Sequence, residues 1–124
     1  MLPIAYHPIY KHPLPEGHRF PMIKYELLPQ QLLHEGTALQ SDFHSPGLPD
    51  MQHVLAVHTK QYADELLSLT LDPKAVRKIG FPLSAELVER ELRIAQGTIW
   101  GCHMAIQYGI AFNIAGAGAT VAIS

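Results

Sequence analysis

Apolar residues along this chain alternate between short continuous runs and longer stretches with helical spacing. The apolar run at residues 2–6 predicts a short first strand. The almost wholly apolar run at residues 110–115 predicts a second strand, buried on both faces. Between them, helical spacing predicts a helix over residues 20–33. Its expected apolar face comprises Phe20, Ile23, Leu27 and Leu28.

Proline and glycine mark the breaks between these elements. Residues 7–18 contain three prolines and one glycine, which predicts a loop because proline fixes φ and removes a hydrogen-bond donor. Pro29 lies inside the first predicted helix and predicts a kink or a break there. The sequence predicts a further short strand at residues 37–42 and a loop at residues 44–49.

Small polar residues that favour helix N-termini precede four further helical stretches. The longest of these helices begins after Ser84, ends near Tyr108 and is closed by Gly109. Its charged residues, Arg90 among them, are expected to point mostly outward. In the helix after Asp50, we expect Val54, Leu55 and Val57 to point inward. The predicted N-caps are Asp50, Thr59, Asp72 and Ser84.

The order strand, helices, strand indicates an α/β fold, because strands separated by helices usually pair in parallel through a crossover. We find no internal repeat and no linker, so residues 1–124 are expected to form a single domain. Hydrophobic residues make up 48% of the chain and charged residues 16%, below the usual proportion of about 25%. Such a composition fits either an ordinary α/β core or a surface normally covered by more chain or by a partner.

The charge and cysteine content exclude several classes of protein. A net charge of -2 with scattered basic residues argues against a nucleic-acid partner. No apolar run is long enough for a membrane helix and no signal peptide is recognisable, so no membrane partner is expected. The single cysteine, Cys102, cannot form an internal disulfide, which favours a cytoplasmic location. Cys102 is expected to be a small core residue, since no activating base lies nearby.

Two patterns suggest ligands but do not specify a site. His7, His12 and His18 lie near Glu16, yet their spacing fixes no tetrahedral zinc site, and exposed loop histidines are the simpler interpretation. The glycine-rich residues 115–120 could open a phosphate-binding turn. A tight turn followed by a returning hairpin strand at residues 119–123 is the alternative.

Three stretches together resemble one protein family. They read LPIAYHPIYKHPLPEGHRFPMIKYELL, VHTKQYADELL and IGFPLSAELVERELRIAQGTIWGCHMAIQYGIAFNIAG. Each is similar to the bacterial branch of the histone deacetylase superfamily, near the class IV and acetoin-utilisation-like deacetylases. The resemblance runs in register over residues 3–116. None of the three stretches contains a catalytic motif, so the resemblance rests on their order and spacing.

The resemblance implies the helix-rich N-terminal portion of a three-layer, parallel-sheet arginase/deacetylase-like fold. Family members use one zinc ion to remove acetyl groups from lysine side chains or small amines, with a paired histidine as general base. Ala119 and Thr120 stand where that histidine pair is expected, and the family's zinc ligands, including an Asp-x-His, would lie beyond Ser124. The resemblance places Arg19 near the inner cavity of the substrate site, with Pro15 and His18 at the rim of the channel.

Two hypotheses for function follow. In the first, the chain derives from a zinc-dependent deacetylase but has no catalytic residue, no metal ligand and no cofactor of its own. In the second, it is a non-catalytic module that self-associates, because a partial sheet exposes edges and apolar faces that a second copy can cover. The second hypothesis predicts a homo-oligomer.

Overall fold

A computed structural model describes residues 1–14, 16–18 and 21–115, and the backbone of residues 120–123. The strands are β1 (Ile4–Ala5), β2 (Phe43–His44), β3 (Ile110–Asn113) and β4 (Thr120–Ile123). The helices are α1 (Lys24–His34), α2 (Met51–Val57), α3 (Lys60–Leu67), α4 (Pro73–Ile79) and α5 (Ala85–Tyr108). None of the described helices combines the length and the apolar character that crossing a membrane requires.

The strands form one sheet in the order β2-β1-β3-β4. β1 is parallel to both β2 and β3, whereas β4 is antiparallel to β3. The predicted α/β class with parallel pairing is therefore confirmed, and so is the returning strand of a hairpin. The strand predicted at residues 37–42 was wrongly placed, because a 3-10 turn at Gln40–Asp42 leads into β2 instead.

Helix α5 covers one face of the sheet through small residues. Gly97, Gly101 and Ala105 are buried on the side that meets β3. The position of a Cβ on Gly101 would lie 4.0 Å from the Cβ of Ala111, and Gly97 lies directly against Asn113. Small side chains allow this close approach between helix and strand backbones.

The other face of the sheet is only partly covered by the described residues. Ile4 and Ile114 are buried there with Ala38, next to Leu32 at the end of α1. Phe112 belongs to the same cluster, but it is only partly buried. The sequence predicted a second strand buried on both faces, and β3 departs from this because its residues alternate between half-buried and buried.

All four predicted N-caps are confirmed. In each case the side-chain oxygen accepts a hydrogen bond from a backbone amide of the first turn, which would otherwise lack an acceptor. The bonds join Asp50 to Gln52 (3.0 Å), Thr59 to Tyr62 (3.1 Å), Asp72 to Ala75 (2.8 Å) and Ser84 to Leu87 (3.0 Å).

Helices α1 and α2 present faces other than those predicted. α1 continues through Pro29 and buries Tyr25 and Pro29. Ile23 and Leu27, assigned to its inner face, are 48% and 52% exposed. The predicted inner face of α2 is likewise wrong, because Leu55 is 43% exposed and Val57 is 76% exposed. Apolar side chains on both helices are therefore in contact with solvent.

Candidate functional site

The carboxyl ends of the parallel strands define the candidate site, because ligands of open α/β sheets usually bind there. Tyr6 and His7 follow β1, His44 ends β2, and Asn113 ends β3. The ring of His44 lies 4.9 Å from the ring of Trp100 on α5, measured between centroids. The chain thus brings polar and aromatic side chains from three strands to one edge of the sheet.

Asn113 is the centre of a buried hydrogen-bond network at this edge. The hydroxyl of Tyr10 donates to Oδ1 of Asn113 over 2.9 Å. Nδ2 of Asn113 donates to the carbonyl of Ile94 at 2.9 Å and to Oγ1 of Thr98 at 3.1 Å. Burial raises the pKa of Tyr10 far above its usual range, so its phenol is a neutral donor. This network joins the N-terminal segment, α5 and β3.

Arg90 makes a second set of contacts beside this network and is buried, contrary to the prediction that it points outward. Only 2% of the residue is exposed, and its Nε donates to the carbonyl of Tyr10 over 2.8 Å. Nη1 pairs with the carboxylate of Glu91 at 2.7 Å. The guanidinium carbon lies 5.2 Å from the ring centroid of Tyr25, close enough for a cation–π interaction. Arg90 therefore holds the N-terminal loop and α1 against α5.

The three N-terminal histidines occupy different environments. Nδ1 of His7 accepts a hydrogen bond from the amide of Ile9 at 3.0 Å, and burial, followed by the charge of Arg93, lowers the pKa of His7. His12 is buried, so the prediction of an exposed loop residue is wrong for it. His18 is exposed, as predicted, with Nε2 3.3 Å from the carbonyl of Gly80. Within the described residues, no three His, Cys, Asp or Glu side chains come together in a way that could hold a metal ion.

We expect His12 to make the fold sensitive to mild acid. Burial lowers the pKa of His12, and the charge of Arg90 lowers it further, whereas Glu86 and Glu91 oppose the shift. The folded chain therefore favours neutral His12, and its contribution to stability is complete above the unfolded-state pKa of about 6.5. That contribution is lost progressively as the pH falls from this value towards the lower pKa of the folded state.

The measurement is the urea midpoint of unfolding between neutral and mildly acidic pH. Replacing His12 with glutamine should reduce the dependence of this midpoint on pH. Replacing His34, which is exposed on α1, should leave the dependence unchanged. Equal pH dependence in the wild type and the His12→Gln variant would contradict the prediction.

An Asp-x-His spacing that was not among the predicted sites lies at the start of β2. Asp42 is largely buried, and its carboxylate accepts hydrogen bonds from the amides of Leu39 at 2.9 Å and Leu2 at 3.3 Å. The bond from Leu39 is the main reason that the pKa of Asp42 is lowered. His44 is exposed and lies against Trp100, so these two residues serve different parts of the structure.

The structure describes only some of the other residues singled out from the sequence. Arg19, Pro15 and Ala119 lie outside the described residues. Thr120 begins β4, with its Cα paired to that of Asn113. Cys102 is exposed on α5, so its assignment to the core is wrong.

A cleft of about 940 Å³ separates α2 and α3 from α5. His58 stacks on Tyr62 at its edge, with 4.9 Å between ring centroids. Much of the lining is apolar, although His53, His58, Arg90 and Glu91 also border the cleft. Its apolar lining includes Val54, Val57, Leu66, Leu87, Val88 and Ile99.

Comparison with known proteins finds a longer relative in a cyanobacterium. No family model matches the chain. Over 114 residues, which is 92% of its length, the chain is 43% identical to an uncharacterized protein of the cyanobacterium Picosynechococcus sp. (strain PCC 7002). The matched region spans only 38% of that protein, so the relative is much longer than this chain.

Proposed function

We propose that this chain is the N-terminal portion of a zinc-dependent deacetylase-like domain and that it is inactive by itself. The parallel arrangement of β1, β2 and β3 is compatible with the fold that the sequence resemblance implies. The observation that carries the proposal is that polar groups at the carboxyl edge of this sheet are already hydrogen-bonded within the chain. The main examples are the hydroxyl of Tyr10 and the side-chain amide of Asn113.

The side chains at this edge do not fit the ligand set of a catalytic zinc ion. Zinc requires three or four nitrogen, sulfur or oxygen ligands in tetrahedral array. The carboxylate of Asp42 is taken by two backbone amides, and Nδ1 of His7 already accepts a hydrogen bond. The ring of His44 lies against Trp100. We therefore assign no catalytic step to the residues of this chain.

Under this proposal, catalysis belongs to the longer protein. The Picosynechococcus relative is long enough to contain further segments of such a domain, because the matched region is 38% of its length. Its substrates would be acetyl-lysine side chains or acetylated small amines. Zinc held by residues of the longer protein would supply Lewis-acid chemistry for amide hydrolysis, and a histidine pair there would serve as the general base.

The test measures zinc and hydrolysis in both proteins. The purified relative should contain about one zinc ion per chain and hydrolyse an acetyl-lysine peptide until a chelator is added. The purified 124-residue chain should contain almost no zinc and release no acetate. A relative without zinc and without hydrolysis would refute the assignment to this family. Stoichiometric zinc in the short chain would refute its inactivity.

A second candidate function is a non-catalytic module that forms homo-oligomers. It is favoured by the partly covered face of the sheet and by the exposed apolar side chains. Ile106 and Val57 are each 76% exposed, and Leu39 is 66% exposed. Exposed apolar surface of this kind commonly marks a protein–protein contact. Its test is the molar mass of the chain in solution.

A further inference from the structure

The C-terminal quarter of the chain carries no charged side chain. All nine basic and all eleven acidic residues lie at or before Arg93, so residues 94–124 contain none. This stretch forms the second half of α5 and both strands of the hairpin. Ile106 and Tyr108 are 76% and 44% exposed within it. These exposed apolar side chains therefore belong to a stretch of chain without charged side chains.

Strand β4 is at the edge of the sheet in this region, and its register shows which of its amides are unpaired. The amides of Phe112 and Ile114 donate to β1 and the segment around it, at Pro3 and Ala5. Because successive amides of a strand point in opposite directions, the amides of Ala111 and Asn113 point towards β4. These two residues are opposite Ala122 and Thr120 in the register.

The remaining two residues of β4, Val121 and Ile123, are opposite Phe112 and Ile110. Their amides and carbonyls therefore point away from β3, towards the free edge. Among the described residues, no strand lies beyond β4. The free edge thus offers two donors and two acceptors in the spacing of an antiparallel partner.

Natural proteins usually protect such an edge with a charged residue, a proline, a bulge or a very short strand. The β4 sequence Thr-Val-Ala-Ile contains neither charge nor proline. The opposite edge of the sheet differs, since β2 has only two residues and is followed by the buried Pro46. Of the two edges of the described sheet, the β4 edge is longer and contains neither charge nor proline, so we expect another strand to pair there.

We propose that β4 pairs antiparallel with β4 of a second copy of this chain, joining the two sheets across a two-fold axis. Such an axis places residues near their own counterparts, so a surface bearing one charge repels its copy. Residues 94–124, which include β4, contribute no such repulsion because they carry no charged side chain. This inference rests on the second proposed function, self-association, and specifies its interface.

Amide hydrogen exchange tests the pairing without any substitution. The amides of Thr120 and Ala122 should be protected even in dilute solution, because they pair with β3. The amides of Val121 and Ile123 should exchange rapidly in dilute solution and become protected as the protein concentration rises. Rapid exchange of Val121 and Ile123 at a concentration where light scattering shows a dimer would overturn the proposed interface.

A proline variant tests the same interface by molar mass. Val121→Pro removes one outward donor and leaves the amides of Thr120 and Ala122 in place, as edge strands tolerate. The wild type and the control Val121→Ala, which keeps the amide, should be dimers by light scattering at micromolar concentration. Val121→Pro should have half their molar mass, with an unchanged circular dichroism spectrum.

The outcomes separate this inference from the functions on which it depends. A monomeric wild type at these concentrations would refute both self-association and the interface. A dimeric Val121→Pro would refute the β4 interface and leave self-association standing. If Val121→Pro does not fold, the exchange rates of Val121 and Ile123 in the wild type decide the question. The molar masses and the exchange rates do not depend on zinc or on deacetylation by the longer relative.

Discussion

Replacing Gly97 with alanine is expected to lower the free energy of unfolding by about 2–4 kcal/mol. A Cβ on Gly97 would lie 2.7 Å from the hydroxyl oxygen of Tyr10, 2.8 Å from Nδ2 of Asn113 and 2.9 Å from Oδ1 of Asn113. These distances are shorter than van der Waals contact. The added methyl group must therefore displace two buried side chains that hydrogen-bond to each other.

Neither side chain can move without losing a partner. Asn113 also donates to the carbonyl of Ile94 and to Thr98. The hydroxyl of Tyr10 donates to Asn113, and the backbone of Tyr10 is fixed because its carbonyl accepts a hydrogen bond from Arg90. Displacement leaves at least one buried polar group unpaired, which adds about 1–3 kcal/mol to the cost of overpacking. The effect of Gly97→Ala thus arises from both sterics and hydrogen bonding.

Gly101 provides a matched control one helical turn away. A Cβ on Gly101 would meet only the Cβ of Ala111, at the ordinary contact distance of 4.0 Å. Alanine is favoured over glycine inside a helix by about 1 kcal/mol. Gly101→Ala should therefore leave the stability unchanged or increase it, as measured by urea unfolding followed by circular dichroism. Equal destabilisation by the two substitutions would show that the Tyr10–Asn113 contact is not the cause.

Local features were predictable from the sequence, because the atoms that determine them are close together in the chain. The N-caps at Asp50, Thr59, Asp72 and Ser84 each depend on an amide two or three residues away. The order of strands and helices was sufficient to predict parallel pairing.

The faces of the helices were not predictable in the same way. α1 is apolar on more than one side, and its buried side is selected by the contact between Tyr25 and Arg90, 65 positions later in the chain. The periodicity of residues 20–33 contains no information about that contact. Arg90 was assigned to the surface by its charge, although its buried partners lie in distant segments.

The candidate site was only partly predictable for the same reason. The residues at its edge come from three strands, and the bond between Tyr10 and Asn113 joins positions 103 residues apart. The Asp-x-His spacing of Asp42 and His44 was visible in the sequence. Its role was not, because the amide of Leu2 that binds Asp42 lies 40 positions earlier.

Replacing Arg90 with methionine is expected to lower the free energy of unfolding by about 2–4 kcal/mol. Methionine replaces much of the apolar part of the arginine side chain. The lost free energy of unfolding is therefore due mainly to removal of the guanidinium group. The carbonyl of Tyr10 loses a charge-assisted hydrogen bond of 2.8 Å, which is worth about 1.5–3 kcal/mol. The ring of Tyr25 loses a cation 5.2 Å from its centroid.

A second readout connects this substitution to His12. The charge of Arg90 contributes to lowering the pKa of His12, so Arg90→Met should raise that pKa towards its ordinary value. Titration of the His12 ring protons by NMR measures this change. Arg77→Met, on the exposed end of α4, is the control and should change stability by less than about 0.5 kcal/mol. If Arg90→Met behaves like Arg77→Met in both measurements, the guanidinium of Arg90 does not hold the N-terminal loop against α5.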